Sequence, residues 1–342
     1  IFFDNNIEAY SINSSAQLWK RQFGDENSSI VLDDVTNEKK LFFIQKNVPD
    51  LKTFYIRDYL ANRKLDLDAF HKASTYSLVA LDKRGGKIAW DMPLDISGES
   101  NVVWMGVNNN KIIIQSIVPN KMLVSAYNII DGELLWVISY DISSFYTLYD
   151  LTPAFYNENL LLPLAKSIEN INIDSGSSNW TYFDDDIEHI LFFNENSVQN
   201  NTMKFFIEDF ENEYINVDLD KRIKISSGVL DIETPELGMW LNNIYIYVSS
   251  SGTVTAYKLL TDKDPEKVSV MWQRDFNSTL EIVNINEQSI HLLDVDKSYI
   301  YKINHSGKEI KMSPLLWPGK NVDISSNYFI VQSAHKLYVI PI

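Results

Sequence analysis

Five histidines, His71, His189, His291, His305 and His335, are the side chains of this 342-residue chain best suited to hold a metal or carry a proton near neutral pH. No two stand close enough in sequence to form a local pair such as H-x-x-x-H, so the spacing predicts no metal site. The stretch LDVDKSY at 293–299 opens like a calcium loop, with Asp294 and Asp296 in the first and third positions. Tyr299 then stands where the sixth position needs glycine, and His305 where the twelfth needs glutamate, so the loop is rejected. Gly85-Gly86-Lys87 lacks the spacing of a phosphate-binding loop, and no G-x-S-x-G elbow occurs. Cysteine is absent, which removes thiol catalysis, disulfides and cysteine-ligated zinc. The acidic runs FDDDIEH at 183–189 and EDFENEY at 208–214 read as solvated loops. The expectation is a chain with no catalytic residue, no cofactor and no metal.

The bulk composition points the same way. The formal charge is −16, from 46 acidic and 30 basic residues, and that field repels nucleic-acid backbones and anionic lipid surfaces. Apolar residues make up 45% and aromatics 13%, enough for a large core. No run of about 18 apolar residues is present to span a bilayer. Residue 1 is Ile and the chain opens IFFDNN, which reads as a product whose leader, with or without a lipid-bearing cysteine, has been removed. The abundance of asparagine, isoleucine and lysine fits an AT-rich genome and identifies no host.

The elements that organise the chain emerge from a repeat. Aligned on tryptophan, EAYSINSSAQLWKRQF ends its copy at Trp19, VALDKRGGKIAWDMPL at Trp90, SAYNIIDGELLWVISY at Trp136 and ENINIDSGSSNWTYF at Trp180. Gly86, Gly132 and Gly176 each lie four residues before their tryptophan, and Ala9, Ala80 and Ala126 each lie ten before. Later copies degrade. Ala256 and Trp272 are separated by a longer turn, a copy with Gly307 has Lys311 in the tryptophan slot, and YINVDLDKRIKISS carries no tryptophan, with its anchor near residue 224.

Between anchors run short β-branched segments such as KIIIQSIV and NIYIYVSS, bounded by Asn, Asp and Gly. A period in the forties with such strands predicts an all-β fold, a β-propeller of four-stranded blades forming a single domain over 1–342. Glycine is expected to supply the positive φ of the hairpin between the last two strands of each blade, and alanine to give the indole room against a facing sheet. Burying one indole removes about 150–250 Å² from water, several kcal/mol per blade at ~25 cal/mol/Å². The anchor count gives seven blades, with eight as the alternative. The C-terminal segment NYFIVQSAHKLYVIPI lacks an outer strand, and the N-terminal strand is expected to pair there and close the ring. The large gap between Trp19 and Trp90 comes from an inserted segment at 48–75, where Leu51, Phe54, Tyr55, Tyr59 and Leu60 after Pro49 predict a short amphipathic helix that could be a partner-binding arm.

The phrase A-x-D-x-x-x-G-x-x-x-W resembles the PQQ-like (quinoprotein-type) β-propeller repeat, and the layout of the ends resembles the BamB family of outer-membrane β-barrel assembly lipoproteins. That resemblance implies a non-enzymatic scaffold in the periplasm, held at the outer membrane and monomeric outside its complex. Its implied partners are the barrel-forming subunit and unfolded outer-membrane proteins. It further implies partner contacts in the loop DMPLDISGES after Trp90, at Leu94, Asp95, Ile96 and Glu99, and in YDLTPAF, at Asp150. The arginine that the family carries in the first loop is absent here, and Leu94, Asp95 and Ile96 stand in its place. A ligand-sensing or quinoprotein-type propeller with a small molecule in its central channel is the alternative reading.

Overall fold

The computed structural model describes residues 2–3, 6–11, 16–23, 28–36, 39–49, 73–96, 100–142, 151–185, 187–207, 213–259, 268–285, 289–314, 321–325, 328–333 and 336–341. Strands dominate these residues, and the only helices among them are two 3₁₀ turns, Glu195–Ser197 and Pro235–Leu237. Among the described residues the strands form eight sheets. Five are four-stranded, one is five-stranded, and the first and last have three strands each. The two chain ends, read from sequence as parts of one blade, therefore make a sheet each, over residues 2–22 and 321–341.

Within the sheets, consecutive strands pair antiparallel, except that Ile190–Phe192 and Val198–Gln199 both pair with Thr202–Ile207. In the sheet of residues 101–141, Asn101–Asn108, Lys111–Val118, Lys121–Asn128 and Leu134–Asp141 lie side by side in chain order. The second strand, KIIIQSIV, is buried along nearly its whole length, with Gln115 and Ser116 buried among its isoleucines. The last strand alternates exposed and half-buried residues, as an outermost strand should. Tight turns between the early strands place asparagine in the left-handed region, at Asn109 and Asn120 here and at Asn157, Asn200, Asn201 and Asn242 elsewhere, and Asn277 does the same in the link between two sheets.

The chain divides into two compact units. One holds residues 1–146 with 157–159 and 171–178, and the other holds 147–156 with 160–170 and 179–342. The first unit contains the sheets of residues 2–22, 28–94 and 101–141, with a core that includes Phe42, Ile44, Leu78, Ala80, Ile112 and Ile114. The second contains the sheets of 190–229, 238–275, 280–314 and 321–341, with aromatic packing around Phe206, Tyr214, Trp240 and Tyr245. The insertion sits between two strands of one sheet. Lys40–Asn47 and Thr75–Asp82 pair in unbroken register from Lys40 opposite Asp82 to Asn47 opposite Thr75. The amphipathic helix expected within 48–75 lies outside the described residues.

Candidate interaction surface

The repeat residues make a recurring link between sheets. Ala80 lies directly opposite Trp90 on the neighbouring strand, and the same pairing joins Ala9 to Trp19, Ala126 to Trp136 and Ala256 to Trp272. In each case the register slips by one residue beside the alanine, so that the residue just before the tryptophan is an unpaired bulge. A bulge twists its strand and re-aims the next side chain. Here it turns the indole toward the next sheet.

There the ring meets a glycine. A Cβ on Gly86 would stand 2.5 Å from Trp19, one on Gly132 2.8 Å from Trp90, one on Gly176 2.7 Å from Trp136 and one on Gly307 2.7 Å from Trp272. All four glycines have positive φ, between 61° and 79°. The indole N–H then donates to a carbonyl of the same turn: Trp19 to Lys83 at 2.8 Å, Trp90 to Ile129 at 3.4 Å, Trp136 to Ile173 at 2.9 Å and Trp272 to His305 at 2.7 Å. An Asp or Asn opens each of these turns and accepts backbone N–H groups with its side chain, as Asp82, Asn128, Asn172 and Asn304 do. Two arginines placed two residues after a tryptophan add a second clasp. Arg21 donates to the carbonyl of Gly86 at 3.1 Å and Arg274 to that of Gly307 at 3.3 Å. The room for each indole thus comes from the glycine of the following repeat, while the alanine packs behind it within the same sheet.

The copy without tryptophan departs in a legible way. The register pairs Asn216 with Ser226, so the anchor slot is Ser226 and not residue 224, the bulge having shifted it. Arg222 takes the glycine position at φ 61°, and its guanidinium lies 5.6 Å from the centre of the Trp180 ring. Stacking of a cation on the ring, worth about 0.5–1 kcal/mol, offsets about half of the ~1–2 kcal/mol cost of a left-handed non-glycine residue.

Of the candidate partner contacts, Leu94 is 7% exposed and belongs to the core, so its side chain is withdrawn from the surface. Asp95 is exposed, and Ile96 is half-buried against the same core. Asp95 also lies close enough to help raise the Tyr127 phenol, whose main cause is burial. Glu99 and Asp150 lie outside the described residues. Sequence reading passed over a different surface, the outer strand Leu134–Asp141. It ends its sheet, and from Leu134 to Tyr140 it carries no charge. Leu134, Leu135 and Val137 are 49%, 43% and 54% exposed. Four other outer strands are interrupted, by Asp91 and Pro93 in Ile88–Leu94, by Lys20 and Arg21 in Gln17–Gln22, by Lys224 in Ile223–Val229 and by Arg274 in Val268–Asp275, while the shorter Ser178–Phe183 is uncharged as well. Charges and prolines on edge strands block unwanted pairing, and this edge has none from Leu134 to Tyr140.

Comparison with solved structures settles the architecture. The chain superposes on BamB from Moraxella catarrhalis with a TM-score of 0.61 at 14% identity, over 96% of this chain and 88% of that one. The fold is a β-propeller similar to that of BamB. A second propeller, the C-terminal WD40 domain of Sif2, matches with a TM-score of 0.50 at 9% identity, over 88% of this chain and 79% of that one. No family model matches the chain, and no curated protein matches its sequence. Each indole described above joins the outer strand of one sheet to the last hairpin of the next. Among the described residues no three His, Asp or Glu side chains gather as a metal site, and no helix is long and apolar enough to cross a membrane.

Proposed function

We propose that this chain is a non-enzymatic interaction subunit of BamB type, working on the periplasmic side of a bacterial outer membrane in a complex that assembles β-barrel proteins. The observation that carries the reading is the likeness to BamB along 96% of the chain, joined to a repeat whose residues are spent on holding blades together. In this reading the chain forms one propeller domain. Its eight sheets favour the eight-blade count, and the strands at the two ends of the chain close the ring. Cross-linking between the sheets of residues 2–22 and 321–341 in the purified monomer tests that closure.

Recognition proceeds by surface contact. Asp95 and Ile96, with Glu99 and Asp150, form the loop contacts to the barrel-forming subunit. The uncharged edge Leu134–Tyr140 offers main-chain pairing to an extended strand of a client. The deciding experiment is cross-linking with mass spectrometry in native membranes. Recovery of a barrel-assembly subunit joined to these loops supports the proposal. Recovery of none, together with a heat or absorbance change on titration with pyrroloquinoline quinone and calcium, replaces it with a ligand-binding propeller.

A further inference from the structure

The edge strand Leu134–Asp141 has a defined polarity in its main chain, its faces and its ends. Ile142 N–H donates to the carbonyl of Asn120 at 3.1 Å, which sets the phase of the antiparallel ladder. With that phase, Tyr140, Ile138 and Trp136 turn their main-chain groups inward to Met122, Val124 and Ala126. Val137, Ser139 and Asp141 turn theirs outward, where no described residue receives them. Side chains alternate across the other direction. Trp136, Ile138 and Tyr140 are half-buried on one face, and Val137, Ser139 and Asp141 are exposed on the other. A strand laid along this edge continues both faces. It needs apolar side chains beside Trp136, Ile138 and Tyr140, and accepts polar ones beside Val137 and Ser139.

Charge then selects among such strands. The uncharged run is bracketed by exposed acids, Asp131 and Glu133 before Leu134 and Asp141 after Tyr140. Two lysines stand near them. Lys121 is opposite Asp141 in the ladder, and Lys40, which donates to the carbonyls of Ile129 and Ile130, feels the charge of Asp131. An acidic excess remains. A second copy of the chain fits this edge badly, because the antiparallel register centred on Val137 sets Glu133 opposite Asp141 twice, between molecules of charge −16. The other uncharged outer strand, Ser178–Phe183, is shorter, and cations of the next sheet already lie against it. Arg222 is 5.6 Å from the centre of the Trp180 ring, and Lys224 pairs with Asp184 at 3.3 Å.

We propose that Leu134–Asp141 is a docking edge for an extended amphipathic strand with a lysine or arginine at each end, the two basic residues about eight positions apart. The inference rests on the reading of this edge as the client surface, and it names the class of client.

The test measures fluorescence anisotropy of labelled peptides with the purified full chain. The probe is Lys-Val-Thr-Val-Thr-Val-Thr-Val-Lys, blocked at both termini. One control replaces its end lysines with glutamates, and another keeps them but groups the valines and threonines in blocks. The lysine-ended alternating peptide is expected to bind about tenfold tighter than its glutamate-ended twin, and the blocked core to bind more weakly than the alternating one. Val137→Pro removes an outward N–H that the ladder does not use, and is expected to abolish binding in a folded protein. The double variant Glu133→Lys, Asp141→Lys changes only exposed side chains and is expected to prefer the glutamate-ended peptide. Equal affinity for the two kinds of end, an unchanged preference in the double variant, or full binding by folded Val137→Pro overturns the proposal. Cross-linking in native membranes separates it from the wider reading. Peptide discrimination with no barrel-assembly subunit recovered supports the edge and removes the BamB-type role, while recovery of that subunit without discrimination removes the edge alone.

Discussion

At the scale of single residues, the repeat glycines do two jobs, and substitution separates them. A Cβ on Gly132 would sit 2.6 Å from Met92 and 2.8 Å from Trp90 in a backbone at φ 79°. Gly132→Ala is therefore expected to cost about 2–4 kcal/mol in urea unfolding, from left-handed strain together with displacement of the indole. Gly85→Ala is the control. Its added Cβ meets nothing closer than 4.0 Å, so the change should be near neutral. Arg222→Gly should leave stability within about 1 kcal/mol of wild type, because the relief of strain and the loss of stacking on Trp180 oppose each other. Arg222→Ala keeps the strain, loses the stacking, and should fall below both. His291 gives an acid limit. It is 1% exposed, and burial, with Lys302 adding repulsion, pushes its imidazole down to about 4. The unfolded chain binds a proton near pH 6.5 while the folded one resists until about pH 4. Stability from this group is thus complete above pH 6.5 and drains away as pH falls toward 4, by on the order of 3 kcal/mol. His291→Leu should flatten that slope in urea midpoints measured across the window.

At the scale of strands and turns, much was legible and some was not. The hairpin glycines, the short β-branched strands and the period could be read directly, because each is a local property of the chain. The acceptor role of Gly86, Gly132 and Gly176 could not, since the indole it receives comes from a different repeat. The bulge before each tryptophan was visible only as an offset of ten residues between Ala126 and Trp136, one more than an unbroken ladder allows. Abundant asparagine carried a structural signal that composition alone does not give, for seven asparagines hold left-handed turns. Leu94, expected from the resemblance in a partner loop, ends a strand, and its side chain closes the core. The unguarded edge Leu134–Tyr140 leads to a prediction at this level. Val137→Lys places a charge on an exposed edge position and should leave unfolding within about 0.5 kcal/mol of wild type. It should reduce the cross-linking of client strands to this edge, measured alongside loop contacts that stay unchanged.

At the scale of the whole molecule, the charge of −16 disfavours self-association at neutral pH. The sequence isoelectric point near 4.7 falls inside the window where His291 weakens the fold. Turbidity on acidification should accordingly peak near pH 4.7 and shrink in His291→Leu. The links between sheets also have a direction. Trp19 precedes its acceptor at Lys83, Trp90 precedes Ile129, Trp136 precedes Ile173 and Trp272 precedes His305. During synthesis, each indole leaves the ribosome before the hairpin that will cover it has been made. Until each of these hairpins is made, the growing chain therefore carries one uncovered aromatic ring, which is buried when the following hairpin is translated.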